Sequence, residues 1–236
     1  AHDQDIDQAV VLQTEYSGRF SETFEHFSGK PPVETRSWNH AFRGPESTTV
    51  LVNVLKVGLH TIIKDLQNGI FDAACSMEPY VDLLFLGYGL CGNALAKPLE
   101  LLSPIDVPIV IPMDEDHPVD DCVGLVIGGR EHYYAEQCKC AGTMFMTAGW
   151  ANHWKDILMK KDRGTFSLDI SKRMLKNYER VLVLSTPVMT GDGMTEYVTE
   201  FGDVYGLRTE VREGTLNILE DSWQNAKLKL PSDREP

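Results

Sequence analysis

Apolar and polar positions fall in blocks along the chain, and each block predicts an element. AVVLQTEY (residues 9–16) predicts a first strand. Between Ser17 and Glu46 the chain is rich in Gly, Pro, Ser and aromatics (SGKPP, SWNHAFRGPES). It holds no sustained period, which predicts an irregular or loosely helical stretch. In TTVLVNVLKVGLHTIIKDLQNGI the second half places Leu55, Leu59, Ile62, Ile63 and Leu66 on one helical face, with Asn68-Gly69 as its stop. VDLLFLG (81–87) and VPIVIP (107–112) are continuous apolar runs between turn residues. That pattern suits strands buried on both faces of a parallel sheet.

CGNALAKPLELL predicts a short helix limited by Pro98. DCVGLVIGG predicts a short strand or turn, and REHYYAEQ a helix. GTMFMTAGW (142–150) predicts a strand running into the helical AGWANHWKDILMKK. The alternation then repeats: helix SLDISKRMLKNY, strand RVLVLST, helix GMTEYVTEFGDVYG, strand LRTEVRE, helix GTLNILEDSW. Strands alternating with helices imply an α/β fold, Rossmann-like, with a mainly parallel sheet flanked by helices. Two small lobes around a cleft fit the length. The expected organisation is an irregular N-terminal extension with the first strand (1–48), an α/β domain carrying the cysteine site (49–226) and a flexible tail (227–236).

Composition narrows the function classes. A formal charge of -13 over 236 residues argues against nucleic acid and anionic membranes as partners, since both need a basic surface. No apolar stretch approaches the ~20 residues of a membrane helix, and AHDQDIDQAV lacks a basic-then-apolar leader. Five cysteines, an odd number unevenly spread, fit reduced thiols in a cytoplasm.

Chemistry concentrates in LFLGYGLCGNAL (84–95). Gly87, Gly89 and Gly92 spell G-x-G-x-x-G, a dinucleotide fingerprint when it opens a first βαβ unit. Here it lies mid-chain, the helix behind it is short, and no acid closes the next strand. The other reading takes Cys91 as a thiolate at a helix start, where backbone N–H groups lower a thiol's pKa. A small cysteine packed under a tight turn is the bland counterpart. Cys122 follows MDEDHPVDD, also just past a strand. With Cys91, His117 and Asp120, and with Asp121 beside them, it offers a thiolate, imidazole and carboxylate set of the kind zinc accepts. A solvated acidic loop beside a core cysteine is the alternative. Cys138 and Cys140 form a C-x-C pair, which with Cys91 and Cys122 gives enough sulfurs for an iron–sulfur cluster, a weaker alternative. Cys75 reads as structural, and Tyr133, Tyr134 and Trp150 as packing residues. His60, on GLHTIIKDLQ, is a core-edge residue, or else a base or third ligand. No G-x-S-x-G, Walker A or H-E-x-x-H is present.

Three segments together resemble a known family: LHTIIKDLQNGI leading to LFLGYGLCGNAL, IPMDEDHPVDDCVGLVIGGREHYY with GTMFMTAGW, and EVREGTLNILEDSW. The resemblance is to the domain of unknown function 1638 family, over roughly residues 50 to 225. It implies an anaerobic or methanogenic setting near corrinoid-dependent methyltransferases. The matching positions are His60, Cys91, Cys122 and the segment from Gly142 to Trp150. Where the family has His before its Asp-Cys pair, this chain has Asp120, with His117 three residues earlier.

Three functions follow as expectations. The first is a zinc–thiolate protein of one-carbon or corrinoid-linked methyl metabolism. Cys91 and Cys122 are its ligands, His60 or His117 is the third ligand or a base, and a small thiol or methyl donor is its substrate. The second is a metal-free two-cysteine enzyme on a small acid, racemase- or lyase-like, in which two thiols exchange protons with one carbon. The third is a non-catalytic module docking a corrinoid protein or methyltransferase. The first is the leading expectation, and it leans toward an enzyme associated with methyl transfer.

Overall fold

The computed structural model describes residues 8–15, 17–38, 48–56, 58–91, 94–95, 97–159, 168–188 and 194–230. The chain divides into two compact units, one of residues 1–87, 92–111 and 220–236, the other of residues 88–91 and 112–219. The expected α/β class forms: strands pair mostly in parallel, with helices between them.

In the first unit β1 (Gln8–Leu12) is central, with β2 (Val33–Thr35) and β3 (Thr49–Val52) parallel on either side. Ala9, Val10 and Val11 are buried, as a central parallel strand requires. The stretch expected to be irregular or loosely helical holds a regular helix, α1 (Gly18–Ser28). Phe20 and Phe24 sit four residues apart and stack with ring centroids 6.1 Å apart. Gly29 then ends the helix in the left-handed conformation (φ 72°).

Helix α2 (Ile63–Met77) follows a 3-10 turn at Leu59–Thr61 and runs straight through Asn68-Gly69. Buried Leu66, Ile70 and Ala74 recur every four residues and carry it past that turn signal. Gly69 leaves room for Leu59, whose Cδ1 would lie 3.1 Å from a Cβ at that position. Ile62 and Ile63, expected on the buried face, are exposed. The apolar runs at 81–87 and 107–112 shorten to a parallel pair, β4 (Leu84–Phe85) and β5 (Ile109–Val110). Helix α3 spans Pro98–Leu101. Its proline opens it, a position where the missing N–H costs nothing.

The second unit contains a hairpin, β6 (Met113–Asp114) with β7 (His117–Pro118), then α4 (Cys122–Ile127) and α5 (Arg130–Lys139). Next come β8 (Thr143–Met146), α6 (Ala148–Met159), α7 (Leu168–Met174), β9 (Arg180–Ser185), α8 (Thr195–Tyr205) and β10 (Arg208–Glu213). Helix α9 (Asn217–Leu228) begins in this unit and belongs to the first from residue 220 on. The sheet has the order β10-β9-β8, all parallel.

The unbroken apolar run of β9 reflects burial on both faces. Val181 and Val183 join Met146, Trp154 and Phe201 in one cluster, while Leu182 and Leu184 join Ile127 and Phe145 in the other. Each fully buried side chain of this size contributes about 1.5–3 kcal/mol. DCVGLVIGG, expected as strand or turn, is α4: Asp121 Oδ1 accepts from Val123 N (2.9 Å) and Gly124 N (2.8 Å), and Gly128 closes the helix at φ 94°. Among the described residues no helix is long and apolar enough to cross a membrane.

Candidate functional site

Two segments of the second unit build the site. Residues Tyr88–Cys91 lie along residues 119–121: Leu90 N–H donates to Val119 O (2.9 Å) and Cys91 N–H to Asp120 O (2.7 Å). Gly89 permits this approach. A Cβ there would sit 2.5 Å from Val119 O and 2.7 Å from Asp121 N, so any side chain would lift the segment away. The glycine that looked like part of a dinucleotide cradle therefore serves a contact of the chain with itself. Gly87 faces open space, and Gly92 lies outside the described residues.

Cys91 sits in a turn at φ 48°, a left-handed conformation that costs about 1–3 kcal/mol in a non-glycine residue unless its surroundings hold it. Two backbone hydrogen bonds and the Gly89 contact provide that hold. The helix start expected under Cys91 lies under Cys122 instead, which is the first residue of α4 directly after the Asp121 cap.

Both thiols are pushed above their ordinary pKa rather than below it. For Cys91 the cause is burial, then the Asp121 carboxylate, opposed by the Gly89 N–H that bonds the sulfur. For Cys122 it is burial, then Asp121, then Cys91, opposed by a hydrogen bond from the Thr147 hydroxyl; the result is about 11. Tyr88 is raised to about 12 by burial, then by Cys91 and Cys122. These mutual effects put Tyr88, Cys91, Cys122 and Asp121 in one electrostatic neighbourhood. At neutral pH both thiols and the phenol keep their protons. The expected lowering by a helix start is reversed first by burial of the sulfur and then by the Asp121 charge, while Asp121 also holds the N–H groups of Val123 and Gly124. Cys122 presents exposed surface although its sulfur is crowded by protein atoms. The exposure governs whether a reagent reaches it; the crowding governs how readily it ionises.

The remaining expected residues are dispersed. His117 is half-buried in β7, with Nδ1 2.8 Å from Pro118 O. Asp120 is exposed and offers the Cys91 turn its backbone carbonyl. Among the described residues no group of three or more His, Cys, Asp or Glu side chains is placed to hold a metal ion. The set Cys91, Cys122, His117 and Asp120 therefore does not fit a four-coordinate zinc in this arrangement. Nor do the cysteines gather for a cluster: Cys138 is exposed on α5, while Cys140 is buried with its Sγ 3.8 Å from Glu179 Oε2. His60 is exposed in the 3-10 turn of the first unit, and Cys75 is exposed on α2.

Tyr133 stacks on Phe145 at 4.6 Å between ring centroids, and Trp150 packs against the β9 core, both as expected. Tyr88 and Thr147 were not legible as site residues. Their signals are slight: a tyrosine between the glycines before Cys91, and the single threonine that joins β8 to α6.

The family model described as protein of unknown function (DUF1638) matches residues 54–223. No curated protein matches the chain, and no solved structure does.

Proposed function

The chain belongs to the DUF1638 family, and from that premise we propose that it is a metal-free two-cysteine enzyme. It moves a proton on a small carbon acid, in the manner of a racemase or lyase. The family description names no reaction, so the support comes from the site.

One observation carries it: the Cys91 N–H is held on Asp120 O (2.7 Å), two residues before Cys122 and beside the capping Asp121 carboxylate, an arrangement in which a charge on Cys91 opposes ionisation of Cys122. When like groups are coupled in this way, loss of the first proton makes the second harder to lose. The pair then works as one base and one acid. The thiolate takes the proton from carbon, and the electron pair of that C–H bond moves onto the adjacent carbonyl or carboxylate as an enolate. The second thiol returns a proton to the carbon, and the first keeps the one it took. A thiolate that forms only at high pH is a strong base once formed. Tyr88 brings a neutral phenol to the same place, a donor of the kind that meets a developing enolate oxygen, while the Thr147 hydroxyl is given to the Cys122 sulfur.

The test is hydrogen–deuterium exchange at carbon. A panel of small 2-substituted carboxylic acids is incubated with the protein in D2O and followed by NMR. Exchange at one or more α-carbons is expected, unaffected by chelator and abolished by Cys91→Ser and by Cys122→Ser separately. Metal analysis runs alongside on anaerobically purified protein. Stoichiometric zinc that disappears in Cys91→Ser, with no exchange across the panel, overturns the acid–base site in favour of a metal–thiolate centre for methyl transfer.

A further inference from the structure

The two thiols come from separate segments, yet residue 121 touches the placement of both. Asp121 Oδ1 accepts the N–H groups of Val123 (2.9 Å) and Gly124 (2.8 Å), which fixes the start of α4 and the direction in which Cys122 leaves it. Its carbonyl accepts Leu125 N–H (3.0 Å), so the same residue continues into the helix ladder. Its backbone is the surface on which Gly89 lies; a Cβ at 89 would come within 2.8 Å of Asp121 Cα. The residue before it, Asp120, accepts the Cys91 N–H. The Asp121 charge acts on Cys91 and Cys122, both thiols act on Tyr88, and Thr147 hydrogen-bonds Cys122.

We propose that Asp121 is the positioning residue of the two-thiol site: it seats Cys91 and Cys122 against each other and holds a fixed negative charge beside both sulfurs, so that the pair gives up no more than one proton. It needs no contact with substrate for this. A helix start left to itself would favour a thiolate at Cys122. Asp121 takes the N–H groups of Val123 and Gly124 and sets its own charge beside Cys122, which keeps that thiol available as an acid. This role rests on the proton-transfer function proposed for the pair. Its readout is the ionisation of the thiols themselves, which a failed search for a substrate does not change.

Asparagine at 121 keeps an oxygen for the Val123 and Gly124 N–H groups and removes the charge; serine also caps and is neutral. Iodoacetamide labelling of Cys91 and Cys122, resolved by peptide mass spectrometry, is measured against pH in wild type, Asp121→Asn and Asp121→Ser. The labelling midpoint of both cysteines should fall in the neutral variants. Labelling near pH 8 should rise by about tenfold for each unit of that fall. A purely structural cap would not move this profile in a variant that retains its melting temperature. Midpoints unchanged in whichever neutral variant folds overturn the assignment. A fall at Cys122 with none at Cys91 also overturns it, since the charge would then serve one thiol and not the pair.

Discussion

At position 91 a cysteine occupies a backbone conformation that usually selects glycine or asparagine, and Cys122, its partner in the field, starts a helix without gaining the acidity such a place usually confers. Both facts trace to surroundings: Gly89 below the turn, and at Cys122 burial first and the Asp121 charge second. The order of influences on Cys122 gives a ranked prediction. Asp121 outweighs Cys91 there, so Cys91→Ala should lower the labelling midpoint of Cys122, and by less than Asp121→Asn does. The pH dependence of alkylation at Cys122 in the two variants checks this, and the reverse order contradicts it. The pair itself was legible in the sequence because two cysteines follow two apolar runs. The phenol and the threonine beside them were not, because a tyrosine and a threonine are ordinary in such places.

Among the elements, those with a long uninterrupted pattern were legible: β8, β9, β10, α6 and α8 lie where their apolar runs and periods place them. Errors came where a short-range signal was overruled. Asn68-Gly69 did not stop α2, since Ile70 and Ala74 continue its buried face. The β-branched residues of DCVGLVIGG suggested extended chain, yet the Asp121 cap and the left-handed Gly128 close a six-residue helix around them. A capping aspartate three positions before Gly124 was the available signal.

The Tyr88–Cys91 segment depends on a single residue without a side chain, and Gly89→Ala should be costly. Its methyl would meet backbone atoms of residues 119 and 121, and overpacking against backbone costs about 1–3 kcal/mol. Urea unfolding should show that loss, and simultaneous capture of Cys91 and Cys122 by one reagent should fail. Wild-type stability with intact capture would contradict the close approach. Removing the α4 cap with Asp121→Ala should cost about 0.5–2 kcal/mol, while Asp121→Asn stays near wild type in the same unfolding experiment.

At the scale of the whole molecule, stability depends on a charge network in the second unit remote in sequence from the thiols. Buried Arg180 donates to Thr143 Oγ1 (2.7 Å), Glu136 Oε2 (2.9 Å) and Glu210 Oε2 (2.5 Å), while Arg212 reaches Glu136 Oε1 (2.7 Å). Without Arg180, Glu136 keeps Lys139 and Arg212 and Glu210 keeps Arg208, so what is lost is charged hydrogen bonding at the buried end of the network, and Arg180→Ala should cost about 1.5–3 kcal/mol in urea unfolding. Arg180 reads in sequence only as the first residue of a buried strand; its partners on α5 and β10 come from the fold.

The network also sets acid lability. Lys139 first, then Arg180 and Arg212, hold Glu136 down at about 2 against burial, from an ordinary 4.5. A carboxylate depressed in the folded state gives stability that is full above 4.5 and lost as pH falls toward 2. Glu136→Gln should be less stable than wild type at neutral pH and flatten that acid limb in pH-dependent unfolding. Cys122 acts at the other end: raised in the folded state, it gives stability that is present below 9 and lost as pH rises toward 11.

The convergence of the two sulfurs is tested most directly by phenylarsine oxide, a trivalent arsenical that releases water as it bridges two neighbouring thiols. Intact-mass and peptide analysis of the treated protein should show a single arsenic joining Cys91 to Cys122, and that bridge should be absent from Cys91→Ser and from Cys122→Ser. Recovery of both cysteines unmodified, or of arsenic bound elsewhere while the pair stays free, would contradict the two-thiol site.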